Sequence, residues 1–175
     1  MTRPSVIDTN VLRVAENVPG EWSPSAVERC VAYLLEVQTG GTLVIDDLWL
    51  ILSEYAGEVS ASQGRQSGVG ARFLQWAYQV KGSQDRCEAV SITPRLGSED
   101  GDFVEFPDDP DLAKFHRKDR KFVAVARGSK RSPEIANATD SDWWEHREAL
   151  RKHGVAVRFL CPELFGAKAD SIDSL

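Results

Sequence analysis

The 175-residue chain has no apolar run approaching the roughly 20 residues that a membrane-spanning helix needs. Its start lacks the basic segment and apolar stretch of a secretory signal, so a soluble cytoplasmic protein with no membrane partner is expected. Cysteine is scarce. Cys30, Cys87 and Cys161 are odd in number and far apart in sequence, which suits reduced core thiols better than a disulfide framework or a zinc site. A phosphate-cradling glycine loop, a serine nucleophile elbow and a cysteine–histidine arrangement are all missing, which removes the commonest nucleotide-binding and covalent-hydrolase classes. Internal repeats and low-complexity tracts are missing too, so one domain over residues 1–175 is expected.

The net charge of −6 argues against nucleic acid as a partner, but the average hides a local asymmetry. Residues 99–111, "EDGDFVEFPDDPD", hold seven acids and no base, leaving the rest of the chain close to neutral. Residues 114–131, "KFHRKDRKFVAVARGSKR", hold eight Lys or Arg against Asp119 alone. The acidic stretch reads as a solvated loop, or as an RNA mimic that screens a site in the free protein.

Short apolar runs alternate with longer amphipathic segments, the pattern of an α/β domain. Strands are predicted at 5–7, 42–45, 87–93, 134–139 and 155–160. Helices are predicted from about Ser25 to Gly40, from Asp46-Asp47 through "LWLILSEYAGEV", over 68–80, from about Arg117 to Ala126, and over 141–154. Pro19-Gly20 and Pro24 signal a turn before the first of these helices, and a Gly/Ser/Gln segment near 63–67 reads as a loop. Interleaved strands and helices favour a parallel sheet covered on both faces, because parallel strands need crossover connections.

Two strands run into acids: "SVID" ends in Asp8, and "EIANATD" ends in Asp140. Ligands of open α/β sheets bind at the carboxyl ends of strands where strand order reverses. If the first and fourth strands are neighbours, both acids face one crevice. Helix capping is the alternative reading for each. Asp119 heads a helix in which Phe122, Val123 and Ala126 follow at i+3, i+4 and i+7, which places its carboxylate on the apolar stripe. Glu54 follows Leu50 by four residues and Ile51 by three and borders a similar stripe; a salt bridge would explain it equally well. Asp46 and Asp47, at a predicted helix start, read as caps.

Four converging carboxylates would repel one another and stay partly protonated. A hard divalent cation, Mg²⁺ or Mn²⁺, takes oxygen ligands and removes that conflict. The chemistry that suits such a site is metal-assisted hydrolysis of a phosphodiester.

In order along the chain, "VIDTNVL", "LILSEY", "KDRKFVAVA" and "ATDSDW" resemble the four acidic motifs of the PIN-domain nucleases, many of which are ribonuclease toxins of toxin–antitoxin pairs. The resemblance spans residues 6–143. It implies a three-layer α/β/α fold with a central parallel sheet of about five strands in the order 3-2-1-4-5. It implies Asp8, Glu54, Asp119 and Asp140 as catalytic acids, with Asp8, Asp119, Asp140 and Asp142 around Mg²⁺ or Mn²⁺; for Asp142 a capping role stays open. Thr9 and Asn10 read as the turn that holds Asp8, with Asn10 orienting it. The resemblance also implies single-stranded RNA as substrate, an antitoxin protein as partner and a homodimer. The chain is longer than a compact toxin, with extra residues near 63–71 and 98–111.

Arg117, Lys118, Arg120, Lys121 and Arg147, with Arg151 and Lys152, are candidates for phosphate contacts. Of Trp143 and Trp144, one is expected in the core and the other is a candidate for base stacking. His116 and His146 are available for proton transfer without an identified partner. A non-catalytic PIN-like module that binds RNA or protein, and a DNA nuclease using the same acids, are the competing readings.

Overall fold

Strand β1 (Ser5–Ile7) is buried on every residue and runs straight into helix α1 (Thr9–Glu16). The structure, a computed structural model, describes residues 3–17, 20–61, 68–97 and 101–166. Pro19, the segment 62–67 and Glu99-Asp100, which the sequence assigns to turns and loops, lie outside the described residues. Thr9 and Asn10 are therefore the first turn of a helix and not a separate turn. Val11, Leu12, Val14 and Ala15 bury the inner face of α1, and Asn17 ends it in a left-handed conformation at φ 48°.

Helix α2 (Pro24–Gly40) starts one residue earlier than its apolar periodicity suggests. Ser23 caps it, and Pro24, read above as part of a turn, is its first residue, where a missing N–H costs nothing. Strand β2 (Leu43–Asp46) ends in a buried aspartate whose two oxygens accept from Leu50 N at 2.7 Å and Ile51 N at 2.9 Å. Helix α3 (Leu50–Ala61) therefore begins at Leu50, four residues after the predicted start, and Asp46 caps it from within the strand. Helix α4 (Val69–Val80) and strand β3 (Cys87–Val90) follow.

The described part of the acidic stretch is folded onto the core. Phe103, Phe106, Leu112 and Phe115 are buried, and Phe106 stacks on Phe115 with centroids 5.9 Å apart. Asp109 meets His153 at 2.7 Å, and Asp111 meets Lys152 at 3.4 Å. A 3-10 turn (Arg117–Asp119) leads into helix α5 (Arg120–Gly128) and strand β4 (Glu134–Asn137). The single helix expected over 141–154 is two, α6 (Ser141–Glu145) and α7 (Arg147–Lys152), because His146 leaves helical geometry at ψ 6°. Strand β5 (Ala156–Phe159) completes the sheet.

The domain is α/β, with a five-stranded, all-parallel sheet in the order β3-β2-β1-β4-β5 flanked by helices. Helices α1 to α4 pack on one another, while α5 packs across β1, β2 and β4. Chain progression moves outward from β1 to β3, returns, and moves outward again from β4 to β5. The reversal falls between β1 and β4, the position where such sheets open a crevice at their carboxyl ends. Register pairs Ile7 with Ala136, which brings the exits of the two strands side by side. All three cysteines are free and buried. Among the described residues no helix is long and apolar enough to cross a membrane.

Candidate metal centre

Asp8 leaves β1 in extended backbone and caps α1: its Oδ1 accepts from Asn10 N at 3.0 Å. Its Oδ2 accepts from the indole Nε1 of Trp143 at 2.7 Å. Capping and a site role do not compete here, because each carboxylate oxygen keeps a further lone pair after one hydrogen bond.

Asp140, three residues beyond β4, caps α6 in the same manner through Asp142 N at 2.9 Å. Asn137, fully buried at the end of β4, ties the two strand exits together. Its Oδ1 accepts from Asn10 Nδ2 at 2.7 Å and from Asp140 N at 3.2 Å, and its Nδ2 donates to Asp140 O at 3.0 Å. Asn10 Oδ1 in turn accepts from Ala138 N at 2.8 Å. Asn10 thus orients Asp8 through its backbone N–H, while its side chain locks the neighbouring loop that carries Asp140.

Asp119 enters from the opposite layer at the junction between the 3-10 turn and α5. Its carboxylate makes no capping hydrogen bond and is buried, as its place on the apolar stripe requires. One oxygen from each of Asp8, Asp119 and Asp140 lies within 4.8 Å of the others. Burial, then the charge of Asp119, push the Asp8 carboxyl up to about 7 against the stabilising bonds from Asn10 and Trp143. Burial and the charge of Asp140 push Asp119 to about 7, partly offset by Lys121. An all-oxygen donor set that carries more negative charge than its surroundings neutralise fits a hard divalent cation.

Glu54 stands beside this trio and is held by two partners: Thr9 Oγ1 donates to its Oε1 at 2.5 Å, and Lys121 Nζ meets its Oε2 at 2.5 Å. Asp142 stands further out, where its Oδ2 accepts from His116 N at 2.8 Å and its Oδ1 lies 3.1 Å from His146 Nδ1. His116 Nδ1 is 3.4 Å from Asp119 Oδ2, so both histidines have acidic partners that sequence spacing did not reveal.

The basic candidates divide. Arg117 and Lys118 are exposed. Arg120 is buried, with its guanidinium bonded to Asp102, Ala113 O and Phe115 O and lying over Phe106, so it is not offered to solvent. Lys121 is buried too, engaged by Glu54 and Lys118 O. Arg147 lies over the ring of Trp144 at 4.1 Å. Trp143 is the core tryptophan, while Trp144 stacks on Phe165. Asp102, Asp109 and Asp111 pair with residues of α5, with His153 and with α7 rather than facing the carboxylate trio.

Sequence reasoning missed Asn137, the link from Trp143 to Asp8, and the role of Lys121. A polar residue closing an otherwise apolar strand was the available signal for Asn137. The chain matches no family model, and no curated protein or solved structure matches it significantly.

Proposed function

We propose that this chain is a metal-dependent endoribonuclease that hydrolyses phosphodiester bonds of single-stranded RNA, as its resemblance to PIN-domain nucleases implies. The observation that supports it is the convergence of Asp8, Asp119 and Asp140, with oxygens within 4.8 Å, at the switch point of a parallel sheet. Asp8, Asp119 and Asp140 would hold Mg²⁺ or Mn²⁺, with Asp142 supporting through His116 and His146. When bound, that ion supplies Lewis-acid stabilisation of phosphoryl oxygens and acidifies the attacking water.

The chain's own residues do the remaining work. Trp143 and Asn10 keep Asp8 in one orientation, and the Asn10–Asn137 pair fixes the spacing of the Asp8 and Asp140 loops. Lys121 and Thr9 hold Glu54, the fourth catalytic acid that the resemblance implies, beside the trio. Exposed Arg117 and Lys118 attract phosphate from the flank. The biological setting implied by the resemblance is the toxin of a toxin–antitoxin pair, with a homodimer as the working unit.

The test is cleavage of labelled single-stranded RNA and DNA with Mg²⁺, with Mn²⁺ and with EDTA, for the wild type and for folded Asp8→Asn and Asp119→Asn. RNA cleavage lost with EDTA and with either substitution supports the reading. Activity surviving both substitutions refutes the assigned site, metal binding without cleavage points to a binding module, and preference for DNA points to a DNA nuclease.

A further inference from the structure

We propose that the free edge of β3 carries a second binding surface for single-stranded RNA, apart from the carboxylate trio; it rests on the nuclease reading and deepens it. Among the described residues strand β3 pairs only with β2 and is an edge of the sheet. Beside it lies a cavity of about 510 Å³ whose lining includes Lys81, Gln84, Glu88, Lys130 and Arg131. Glu88, the one acid among the described lining residues, is already engaged by Ser129 Oγ at 2.7 Å and by Lys130 N at 3.1 Å. Arg131 donates to Gln84 O at 2.8 Å and lies 3.7 Å from Glu88, while the Lys130 side chain is exposed. The cavity is therefore net positive.

Lys81 connects it to an aromatic platform. Its Nζ lies 4.7 Å from the ring centroid of Trp49 and 5.4 Å from that of Tyr78. Trp49 is 36% exposed and Tyr78 45%, with Leu48 and Leu50 open beside them. Trp49 also sits at φ 62°, a left-handed backbone that a bulky side chain rarely adopts and that functional sites collect. It stands immediately before α3, whose second turn carries Glu54.

Cations that track phosphates beside exposed aromatic faces are how single strands are gripped without sequence reading. A protein partner fits less well, because lysine is depleted at the core of protein interfaces. Lysines that merely guard a strand edge would sit on the strand; Lys81 and Lys130 come from the flanking turns and need no exposed tryptophan between them.

The experiment uses full-length Asp8→Asn protein in EDTA, which binds without cutting, and a fluorescein-labelled oligouridylate of about 12 nucleotides. Lys81→Glu and Lys130→Glu are each expected to weaken binding about tenfold and to lower the salt slope by about 0.7 per lost phosphate contact. Trp49→Ala is expected to weaken it about 5–100-fold, with Trp49→Phe close to the parent. Cleavage of a substrate too short to reach Trp49 should be unchanged by Lys81→Glu or Lys130→Glu in the otherwise wild-type chain. Unchanged affinity and salt slope in both charge reversals, with RNA still cleaved by the wild type, overturns this surface alone. Dependence on these residues without any metal-dependent cleavage supports the surface and overturns the nuclease reading. A change in sedimentation on charge reversal, with RNA affinity unaltered, assigns the patch to contact between copies and overturns the proposal.

Discussion

The indole of Trp143 donates to the Oδ2 of Asp8 at 2.7 Å, joining α6 to the exit of β1 across 135 residues of sequence. Trp143 is fully buried, edge-on to Phe115 with centroids 4.9 Å apart, so the donor is held by packing. A group that orients a ligand from behind typically changes metal affinity about 10–100-fold when removed. Trp143→Phe keeps a six-membered aromatic ring and deletes the N–H with the rest of the pyrrole ring. It is expected to weaken Mn²⁺ binding by that factor in calorimetric titration and to lower stability at pH 8 by about 1–3 kcal/mol in urea. Unchanged Mn²⁺ affinity would remove Trp143 from the site.

Asp8 and Asp119 give the metal-free protein an unusual pH profile. Their folded-state values, about 7, lie above the ordinary 3.8. Between these values the folded state binds more protons than the unfolded state, so stability falls as pH rises from about 4 to about 7 and then levels off. Asp8→Asn removes one of these charges. It is therefore expected to raise the apparent melting temperature at pH 8 in EDTA and to make little difference near pH 4. Metal binding runs the other way, since it needs both carboxylates ionised: Mn²⁺ affinity should fall steeply below pH 7. A wild-type melting profile in EDTA that rises from pH 4 to 7 as fast as that of Asp8→Asn would contradict the proton linkage.

The parts of this site that local pattern encodes were legible in sequence, and the parts that depend on contact across the fold were not. Alternating strands and helices and the acids after "SVI" and "EIANAT" locate Asp8 and Asp140, and a 3.6-residue stripe locates Asp119. Helix α1 was not predicted: Val11, Leu12, Val14 and Ala15 follow helical spacing after a capping Asp8, but eight residues are a short window for periodicity. Arg120 looked solvent-facing because its neighbours are basic, whereas its partners are Asp102, from the acidic stretch, and Ala113 O and Phe115 O, from the turns that follow it. The Trp143–Asp8 bond and the place of Asn137 arise only once β4 lies beside β1.

The Asn10–Asn137 pair should behave as a unit. Asn137→Ala leaves Asn10 Nδ2 and Asp140 N without their partner in a half-buried setting, at a cost of about 1–3 kcal/mol in all. Asn10→Ala frees Ala138 N and the same amide of Asn137. Because the two substitutions break one network, the double variant should be less destabilised than the sum, by about 0.5–3 kcal/mol. Urea denaturation of the four proteins measures this, and simple additivity would show that the two loops are held independently.

Lys121 carries a charge that two acids use. It pairs with Glu54 and holds Asp119 below the value that burial and Asp140 would otherwise impose. Lys121→Met removes that compensation, so Asp119 should titrate higher still, and the pH at which Mn²⁺ binding is half-maximal should move upward. Glu54 then loses its counterion in a partly buried position, and a stability loss of about 1–2 kcal/mol is expected after allowing for the solvent that reaches it. Adding Glu54→Gln should recover most of the stability but only part of the pH midpoint, because it removes the Glu54 charge that also raises Asp119, an effect smaller than the loss of Lys121. If the double variant recovers both, the influence of Lys121 on the metal centre runs through Glu54 alone.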